Sequence, residues 1–225
     1  MKPLLAIAGV GCVLLITLGI FLAVSANSDT TRILPIDPAY QTRIDQGYWS
    51  KGAETPTVTL LEYGDFQCPA CDAEYPIIEQ AVKDTSDFVQ FHFRNYPLAQ
   101  HDKAAVAAKG AEAAGRQGKF WQMYELLYSN QSDWSTQLLG TFTATTLPQY
   151  AQTLQLNVDQ FKKDLKDNSI QDQIDKDMAA ANQIPLTGTP TLQINGVTVT
   201  DLPKTADDLV TMLKAAQAAV QNPAS

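Results

Sequence analysis

Two cysteines, Cys68 and Cys71, stand close together between an apolar run and a stretch with helical character. The run, Val58–Tyr63, is bounded by a proline and a glycine, which is typical of a short buried strand. Pro69 suits the first turn of a helix, because it has no N–H to lose there and its φ is already near the helical value. The sequence therefore predicts a strand that leads into a cysteine pair, with the helix opening at Cys68.

This placement favours a thiolate at Cys68. A free thiol has a pKa of about 8.5, and at a helix N-terminus beside a second cysteine the pKa falls to roughly 3.5–7. The thiolate is the attacking species in thiol–disulfide exchange and is also a good leaving group. Cys71 lies one helical turn further on, where it can resolve a mixed disulfide on Cys68. A ring this small would contribute only about 2 kcal/mol as a structural link, so the pair is predicted to be redox-active.

Two acidic residues precede the pair. Glu62 stands in an otherwise apolar strand, so its carboxyl is expected to be partly buried beneath the cysteines, with its pKa raised by desolvation. A carboxyl there can exchange a proton with Cys71, and an exposed carboxylate at the end of the strand is the alternative. Asp65 is expected to cap the turn that leads to Cys68.

A second motif, Gly188-Thr189-Pro190, comes directly before a predicted strand at Thr191–Ile194. The bond before a proline is the one at which a cis peptide is accessible. A proline that opens a strand also leaves room for a bound peptide to pair with the neighbouring backbone. The following Asn195-Gly196 predicts a type I′ hairpin turn into Val197–Val199.

The order of the predicted elements indicates an α/β architecture. A second strand is expected at Phe88–Phe93, a helical block at about residues 100–183, and a final helix from about Thr205. Helical apolar stripes in this block are typical of a protein core rather than of cofactor contacts. Strand, helix, strand, helical block, hairpin and helix together predict an α/β fold that carries a helical insertion.

The N-terminal segment is expected to direct the rest of the chain out of the cytoplasm. Leu4–Ser25 carries no charge, and as a helix it would be about 33 Å long, enough to cross a hydrocarbon core of about 30 Å. A cleaved signal peptide has an apolar region of only about 7–15 residues, although Val24–Ala26 would suit cleavage. A membrane anchor is therefore favoured over a cleaved signal. Cys12 is predicted to be a small apolar residue within this helix.

Composition disfavours several other functions. The net charge of −8 repels phosphate backbones, which argues against nucleic-acid binding. Three cysteines and two histidines nearly exclude a structural zinc site with four nitrogen or sulfur ligands. A Cu(I)-binding module on Cys68 and Cys71 remains an alternative, because soft thiolates suit Cu(I), but it needs a third ligand.

Four stretches together resemble the DsbA-like branch of the thioredoxin superfamily: Val58–Cys71, Arg94–Leu98, Gly118–Trp121 and Gly188–Thr191. The resemblance covers roughly residues 56–220. It implies a thioredoxin fold with an inserted helical domain, and the N-terminal transmembrane or signal helix predicted above precedes the matched region. The corresponding division is an anchor or signal at 1–26, a tether at 27–55 and the DsbA-like domain at 56–225.

The resemblance also implies roles for individual residues. Cys68 would be the nucleophile, Cys71 the resolving thiol and Glu62 the proton carrier, while Pro190 would follow a cis peptide bond. The expected substrate contacts are Pro69, Ala70 and Thr189. Neither a metal nor a dissociable cofactor is expected, because the Cys68–Cys71 disulfide itself carries the electrons.

One departure from the family pattern affects the predicted direction of electron flow. The strongest oxidases of this family carry a histidine between the cysteines, whereas Pro69-Ala70 stands here, which should weaken thiolate stabilisation and lower the oxidising power. By sequence position His92 and His101 do not replace that histidine, and His101 is predicted to be a helix-entry residue.

The sequence therefore predicts an extracytoplasmic thiol–disulfide oxidoreductase that oxidises cysteine pairs in exported proteins. It would be reoxidised by a membrane thiol oxidase. Its expected location is the cell membrane, with the catalytic domain outside the cytoplasm, or the secreted or periplasmic fraction after cleavage. A reductase or isomerase of the same fold is the alternative.

Overall fold

Five strands form one mixed sheet in the order β1–β3–β2–β4–β5. The computed structural model describes residues 49–184 and 186–222. The strands are β1 (Trp49–Gly52), β2 (Val58–Gly64), β3 (Val89–Asn95), β4 (Thr191–Ile194) and β5 (Val197–Thr198). Strands β2 and β3 are parallel, and the other neighbouring pairs are antiparallel.

The helices lie between and after these strands. They are α1 (Pro69–Asp84), α2 (Ala104–Gly115), α3 (Phe120–Ser129), α4 (Gln131–Trp134), α5 (Leu139–Thr141), α6 (Leu147–Thr153), α7 (Val158–Asp164), α8 (Asn168–Ala181) and α9 (Ala206–Gln221). A π-helix at Phe142–Thr146 joins α5 to α6. Helices α2 to α8 follow β3 and precede β4, so the helical block predicted at about 100–183 is the insertion that interrupts the sheet. The predicted α/β architecture is therefore confirmed.

The sheet begins earlier than the sequence suggested. The tether was assigned to 27–55, but Trp49 opens β1 and pairs with Phe93 of β3. Its ring stacks on Phe120 with 4.7 Å between the ring centroids. The sequence of β1, Trp-Ser-Lys-Gly, has one apolar residue and no alternation, so it is recognised as a strand only by its antiparallel pairing with β3.

Strand β2 is the central strand and carries the approach to the cysteine pair. All of its residues are buried, because β3 and β4 flank it and helices cover the sheet. Glu62 lies opposite Phe93 on one side and Leu192 on the other. A carboxyl in the middle of the sheet has therefore replaced one of the apolar side chains that such a strand normally carries.

The turn predicted at Asn195-Gly196 is confirmed. Asn195 has φ of 51° and Gly196 has φ of 85°, which are the positive values that a type I′ turn requires. Asn195 also accepts a hydrogen bond from the backbone N–H of Thr59 at 2.9 Å through its side-chain oxygen. The hairpin is thereby fastened to β2.

The predicted N-terminal anchor or signal, with Cys12, lies outside the residues that the structure describes. Over residues 49–184 and 186–222, no helix is both long enough and apolar enough to cross a membrane.

Candidate active site

Cys68 caps the N-terminus of α1, as predicted. Its backbone is extended, with φ of −73° and ψ of 122°, and its carbonyl accepts the N–H of Asp72 at 3.1 Å. Pro69 occupies the first turn. The Cys68 sulfur therefore lies at the end of a 16-residue helix where unpaired N–H groups and the helix dipole favour negative charge.

The pKa of Cys68 is lowered to about 5. The largest cause is a hydrogen bond from the Cys71 thiol, and the Thr189 side chain and the backbone N–H groups of Cys71 and Ala70 act in the same direction. Burial opposes these effects, since Cys68 is only 6 % exposed. At neutral pH the sulfur is therefore a thiolate.

Cys71 has the opposite character. It is 0 % exposed, and burial is the largest cause that raises its pKa far above the ordinary value. Its hydrogen bond to Cys68 raises the pKa further, as does Glu62 once it is ionised, whereas the backbone N–H of Asp65, 3.5 Å from the sulfur, lowers it. The pair thus consists of one ionised sulfur on a residue that is 6 % exposed and one protonated sulfur on a residue that is fully buried.

We expect the reduced protein to show one thiolate transition at a pH of about 5 in ultraviolet absorbance, because Cys71 stays protonated. A Cys12→Ser background removes the third thiol of the chain. Cys71→Ala should raise the pH of the transition, because it removes the thiol whose hydrogen bond is the largest cause of the low pKa of Cys68. A transition at the ordinary cysteine value of about 8.5 would contradict the proposed stabilisation of the Cys68 thiolate.

Glu62 is buried beneath the pair. It is 0 % exposed, and its pKa is raised to about 8, chiefly by burial. Tyr124 donates a hydrogen bond of 3.3 Å to Oε2, which lowers the pKa, while Oε1 has no hydrogen-bond partner within the described part of the chain. A Cβ at position 64 would lie only 2.9 Å from Oε1 and would also collide with the ring of Phe93, so glycine at Gly64 leaves the carboxyl its space.

Tyr124, which contacts this carboxyl, belongs to an aromatic cluster made of Phe66, Tyr75, Phe93, Tyr124 and Tyr128. The centroids of Phe66 and Tyr128 are 5.0 Å apart, and so are those of Tyr124 and Tyr128. The helical insertion supplies Tyr124 and Tyr128, whose stripe the sequence indicated only as core. Burial removes water from Glu62, which explains why the carboxyl keeps its proton at neutral pH.

The Gly188-Thr189-Pro190 motif contacts the cysteine pair at Cys68. The Thr189–Pro190 peptide bond is cis, and the Cys68 sulfur lies 3.3 Å from the carbonyl oxygen of Thr189, to which it donates only while it is protonated. Pro69 and Ala70 are exposed beside this contact. The predicted substrate contacts therefore adjoin the Cys68 sulfur.

Gln131 was missed by the sequence reasoning. It is 5 % exposed, and its side-chain amide donates to the carbonyl oxygens of Phe66 and Cys68, at 2.9 Å each. A single glutamine at the start of a short helix carries no spacing or charge signal. Its role is visible only in the folded protein, where its hydrogen bonds connect the helical insertion to the backbone at Phe66 and Cys68.

The two sulfurs are also the ligands that the Cu(I) alternative would use. Thiolates suit Cu(I), and the reduced pair supplies two sulfurs, of which Cys71 would have to lose its proton to bind the metal. In the described ranges, no group of three or more His, Cys, Asp or Glu side chains has the arrangement of a metal site.

The sequence model of a protein family described as thioredoxin matches residues 46–215. The chain is 35 % identical over 165 residues to the Na(+)/H(+) antiporter NhaA 1 of Salinispora arenicola, which covers 73 % of this chain and 23 % of the antiporter. The chain thus spans about a quarter of such an antiporter. It is 33 % identical over 157 residues to the probable disulfide bond formation protein D of Bacillus cereus, covering 65 % of this chain and 69 % of that protein.

The fold is similar to that of BdbD from Bacillus subtilis in its oxidised form. The TM-score is 0.66 at 22 % sequence identity, and the match covers 82 % of this chain and 98 % of BdbD. At this level of identity the comparison establishes the thioredoxin-like α/β fold.

Proposed function

The chain belongs to the DsbA-like family of thiol–disulfide oxidoreductases, within the thioredoxin superfamily, and we propose that it oxidises cysteine pairs in exported proteins. In this proposal the oxidant is a disulfide between Cys68 and Cys71. The pair itself carries two electrons, so no dissociable cofactor is required.

The proposal rests on the pKa values of the two cysteines, which are shifted in opposite directions. The pKa of Cys68 is lowered to about 5, and that of Cys71 is raised. A thiolate that is stabilised in the reduced form makes the reduced state more favourable, and this makes the disulfide a stronger oxidant. The shift arises without a histidine between the cysteines, because the Cys71 thiol and neighbouring N–H groups supply the stabilisation.

Oxidation proceeds in two exchange steps. In the first, a substrate thiolate attacks the Cys68 sulfur, the Cys68–Cys71 bond breaks, and its electron pair leaves on Cys71. In this proposal protonated Glu62, which is buried as Cys71 is, supplies the proton that Cys71 takes up. In the second, another substrate thiolate attacks the substrate sulfur of the mixed disulfide, and Cys68 leaves as a thiolate. The substrate is oxidised and the cysteine pair is reduced.

The substrate approaches across the exposed surface beside Cys68. Pro69 and Ala70 follow Cys68 in the chain and are exposed, and the carbonyl oxygen of Thr189 lies 3.3 Å from the Cys68 sulfur. An extended substrate segment can hydrogen-bond to backbone near Thr189, since Pro190 has no N–H to offer a neighbouring strand. Such recognition depends on backbone, so it would accept many sequences.

We place this domain outside the cytoplasm. The apolar run Leu4–Ser25 would serve as an uncleaved anchor, or as a signal that is removed. Disulfides form and persist in oxidising compartments, where exported substrates meet the enzyme. A membrane thiol oxidase would return the reduced pair to the disulfide by accepting its two electrons.

The reduction potential of the Cys68–Cys71 pair tests the proposed direction of electron flow, from substrate thiols to the cysteine pair. We expect equilibration of the full-length chain with glutathione to give a value nearer to about −120 mV, which is typical of an oxidase, than to about −270 mV, which is typical of a reductase. The chain should also oxidise a reduced peptide with two cysteines, and a peptide with one cysteine serves as the control that stops at the mixed disulfide.

A potential near the reductase value would favour the alternative function in disulfide reduction or isomerisation. Stoichiometric copper on the purified reduced chain, together with loss of exchange activity, would favour the Cu(I) module instead. Either result would overturn the proposed oxidase.

A further inference from the structure

Asp65 contacts both cysteines through its backbone. Its N–H donates to the Cys71 sulfur at 3.5 Å, and its carbonyl oxygen accepts the N–H of Cys68 at 3.0 Å. The first of these bonds lowers the pKa of Cys71, in opposition to the burial that raises it. One peptide segment therefore sets the surroundings of both sulfurs.

The Asp65 side chain holds that segment in place. Its carboxyl is fully buried and accepts three hydrogen bonds: the Gln67 N–H to Oδ1 at 2.7 Å, the Leu98 N–H to Oδ2 at 2.9 Å, and His101 Nδ1 to Oδ2 at 2.7 Å. The bond to Gln67 is the turn cap that the sequence predicted. The other two come from the loop that connects β3 to α2, and the sequence gave no indication of them.

Gln67 makes a second connection to the same loop. Its side-chain amide donates to Asp102 at 2.9 Å, and its side-chain oxygen accepts the backbone N–H of Lys103 at 2.6 Å. The loop from Leu98 to Lys103 is thus tied to the Asp65–Gln67 turn at four points. His101 is the member of this set that reaches the buried carboxyl from the protein surface, since its side chain is 20 % exposed.

We propose that Asp65 is a positioning residue that aims its own N–H at Cys71 and that His101 holds the Asp65 carboxyl in the orientation this requires. The inference deepens the proposed function, on which it rests for its biological role. It gives His101, expected to be a helix-entry residue, a part in the chemistry that is exerted through Asp65.

The step concerned is the opening of the Cys68–Cys71 disulfide. An attacking thiolate forms a new bond to the Cys68 sulfur, the bond between the two cysteine sulfurs breaks, and its electron pair passes to Cys71. The structure has Cys71 as a free sulfur, which corresponds to this leaving group. A hydrogen bond from the Asp65 N–H stabilises the charge that develops on Cys71. Cleavage of a later mixed disulfide on Cys68 expels Cys68 and makes no use of this bond.

The test measures ring opening by dithiothreitol in the full-length chain with Cys12→Ser, by stopped-flow tryptophan fluorescence. Asp65→Asn and His101→Ala should each slow this step about tenfold, as expected for the loss of one hydrogen bond to a thiolate. His101→Asn, whose side-chain amide can donate from nearly the same position as Nδ1, should restore the rate. Asn157→Ala removes the N-cap of α7, far along the chain, and serves as a control for a general loss of stability.

A second measurement separates positioning of Cys71 from damage to the whole site. In a Cys71→Ser background, Cys68 is loaded with glutathione and the mixed disulfide is cleaved with dithiothreitol. His101→Ala should leave this rate unchanged. Equal slowing in both assays, slowing by Asn157→Ala, or wild-type ring opening in His101→Ala and Asp65→Asn would each overturn the proposal.

Dithiothreitol needs no protein substrate, so the outcome is independent of the direction of electron flow in the cell. If the proposed oxidase function failed, the reduction potential would lie in the reductase range while the effects of Asp65 and His101 on ring opening persisted. If the positioning role failed, the potential would still lie in the oxidase range while the ring-opening rates stayed at wild type.

Discussion

Cys68→Ser is expected to slow the oxidation of a reduced dithiol peptide by at least about a thousandfold, as is usual when a nucleophilic side chain is removed. Cys68 is the sulfur that a substrate can reach, beside exposed Pro69 and Ala70. Cys71 cannot take its place, because it is 0 % exposed and its pKa is raised. The rate is measured with a fluorescent two-cysteine peptide and oxidised glutathione as the terminal oxidant.

Cys71→Ser is the matched variant, because it removes the other half of the pair and keeps the reactive sulfur. It should also fail to oxidise the peptide, but it should accumulate mixed disulfides on Cys68 that mass spectrometry detects. Cys12→Ser should retain the wild-type rate. Substantial exchange by the Cys68→Ser variant would show that the chemistry belongs to another thiol.

The parts of the site that the sequence predicted depend on local structure. A proline after Cys68 favours a helix start, and an Asn195-Gly196 pair favours positive φ, whatever the rest of the chain does. The burial of Glu62 was also predictable, because its neighbours in β2 are apolar and a central strand is buried on both faces.

The parts that were not predicted depend on contacts between distant segments. Gln131 reaches the Cys68 carbonyl from the helical insertion, and His101 reaches Asp65 from the loop before α2. A polar residue in a helix or loop has the same local pattern whether it faces solvent or a buried backbone. Strand β1 was missed for a similar reason, because its pairing with β3 and the stacking of Trp49 on Phe120 are contacts with distant parts of the chain.

Glu62→Gln is expected to stabilise the protein at pH 8 and to leave its stability unchanged near pH 4. Burial raises the pKa of Glu62 from the ordinary value of 4.5 to about 8. Below pH 4.5 the carboxyl is protonated in the folded and unfolded states alike, so it has no effect on the pH dependence. As the pH rises from 4.5 to 8, the unfolded chain loses this proton and the folded protein keeps it.

The free energy of unfolding therefore falls by about 1.4 kcal/mol per pH unit in this range. Glutamine has no proton to lose, so the variant should be more stable by roughly 3–5 kcal/mol at pH 8. Urea unfolding at several pH values measures the difference, in a Cys68→Ser/Cys71→Ser background in which neither thiol titrates. Glu54→Gln, at an exposed carboxyl, is the control and should change little at any pH.

The same substitution should slow ring opening of the Cys68–Cys71 disulfide by roughly a hundredfold, since it removes a positioned proton donor. This combination distinguishes the roles that a carboxyl at Glu62 could have. A carboxyl needed for the fold would make Glu62→Gln less stable, and an exposed strand-end carboxylate would change neither property. A more stable and slower variant fits only a buried carboxyl that costs folding energy at neutral pH and supplies the proton that Cys71 takes up on leaving.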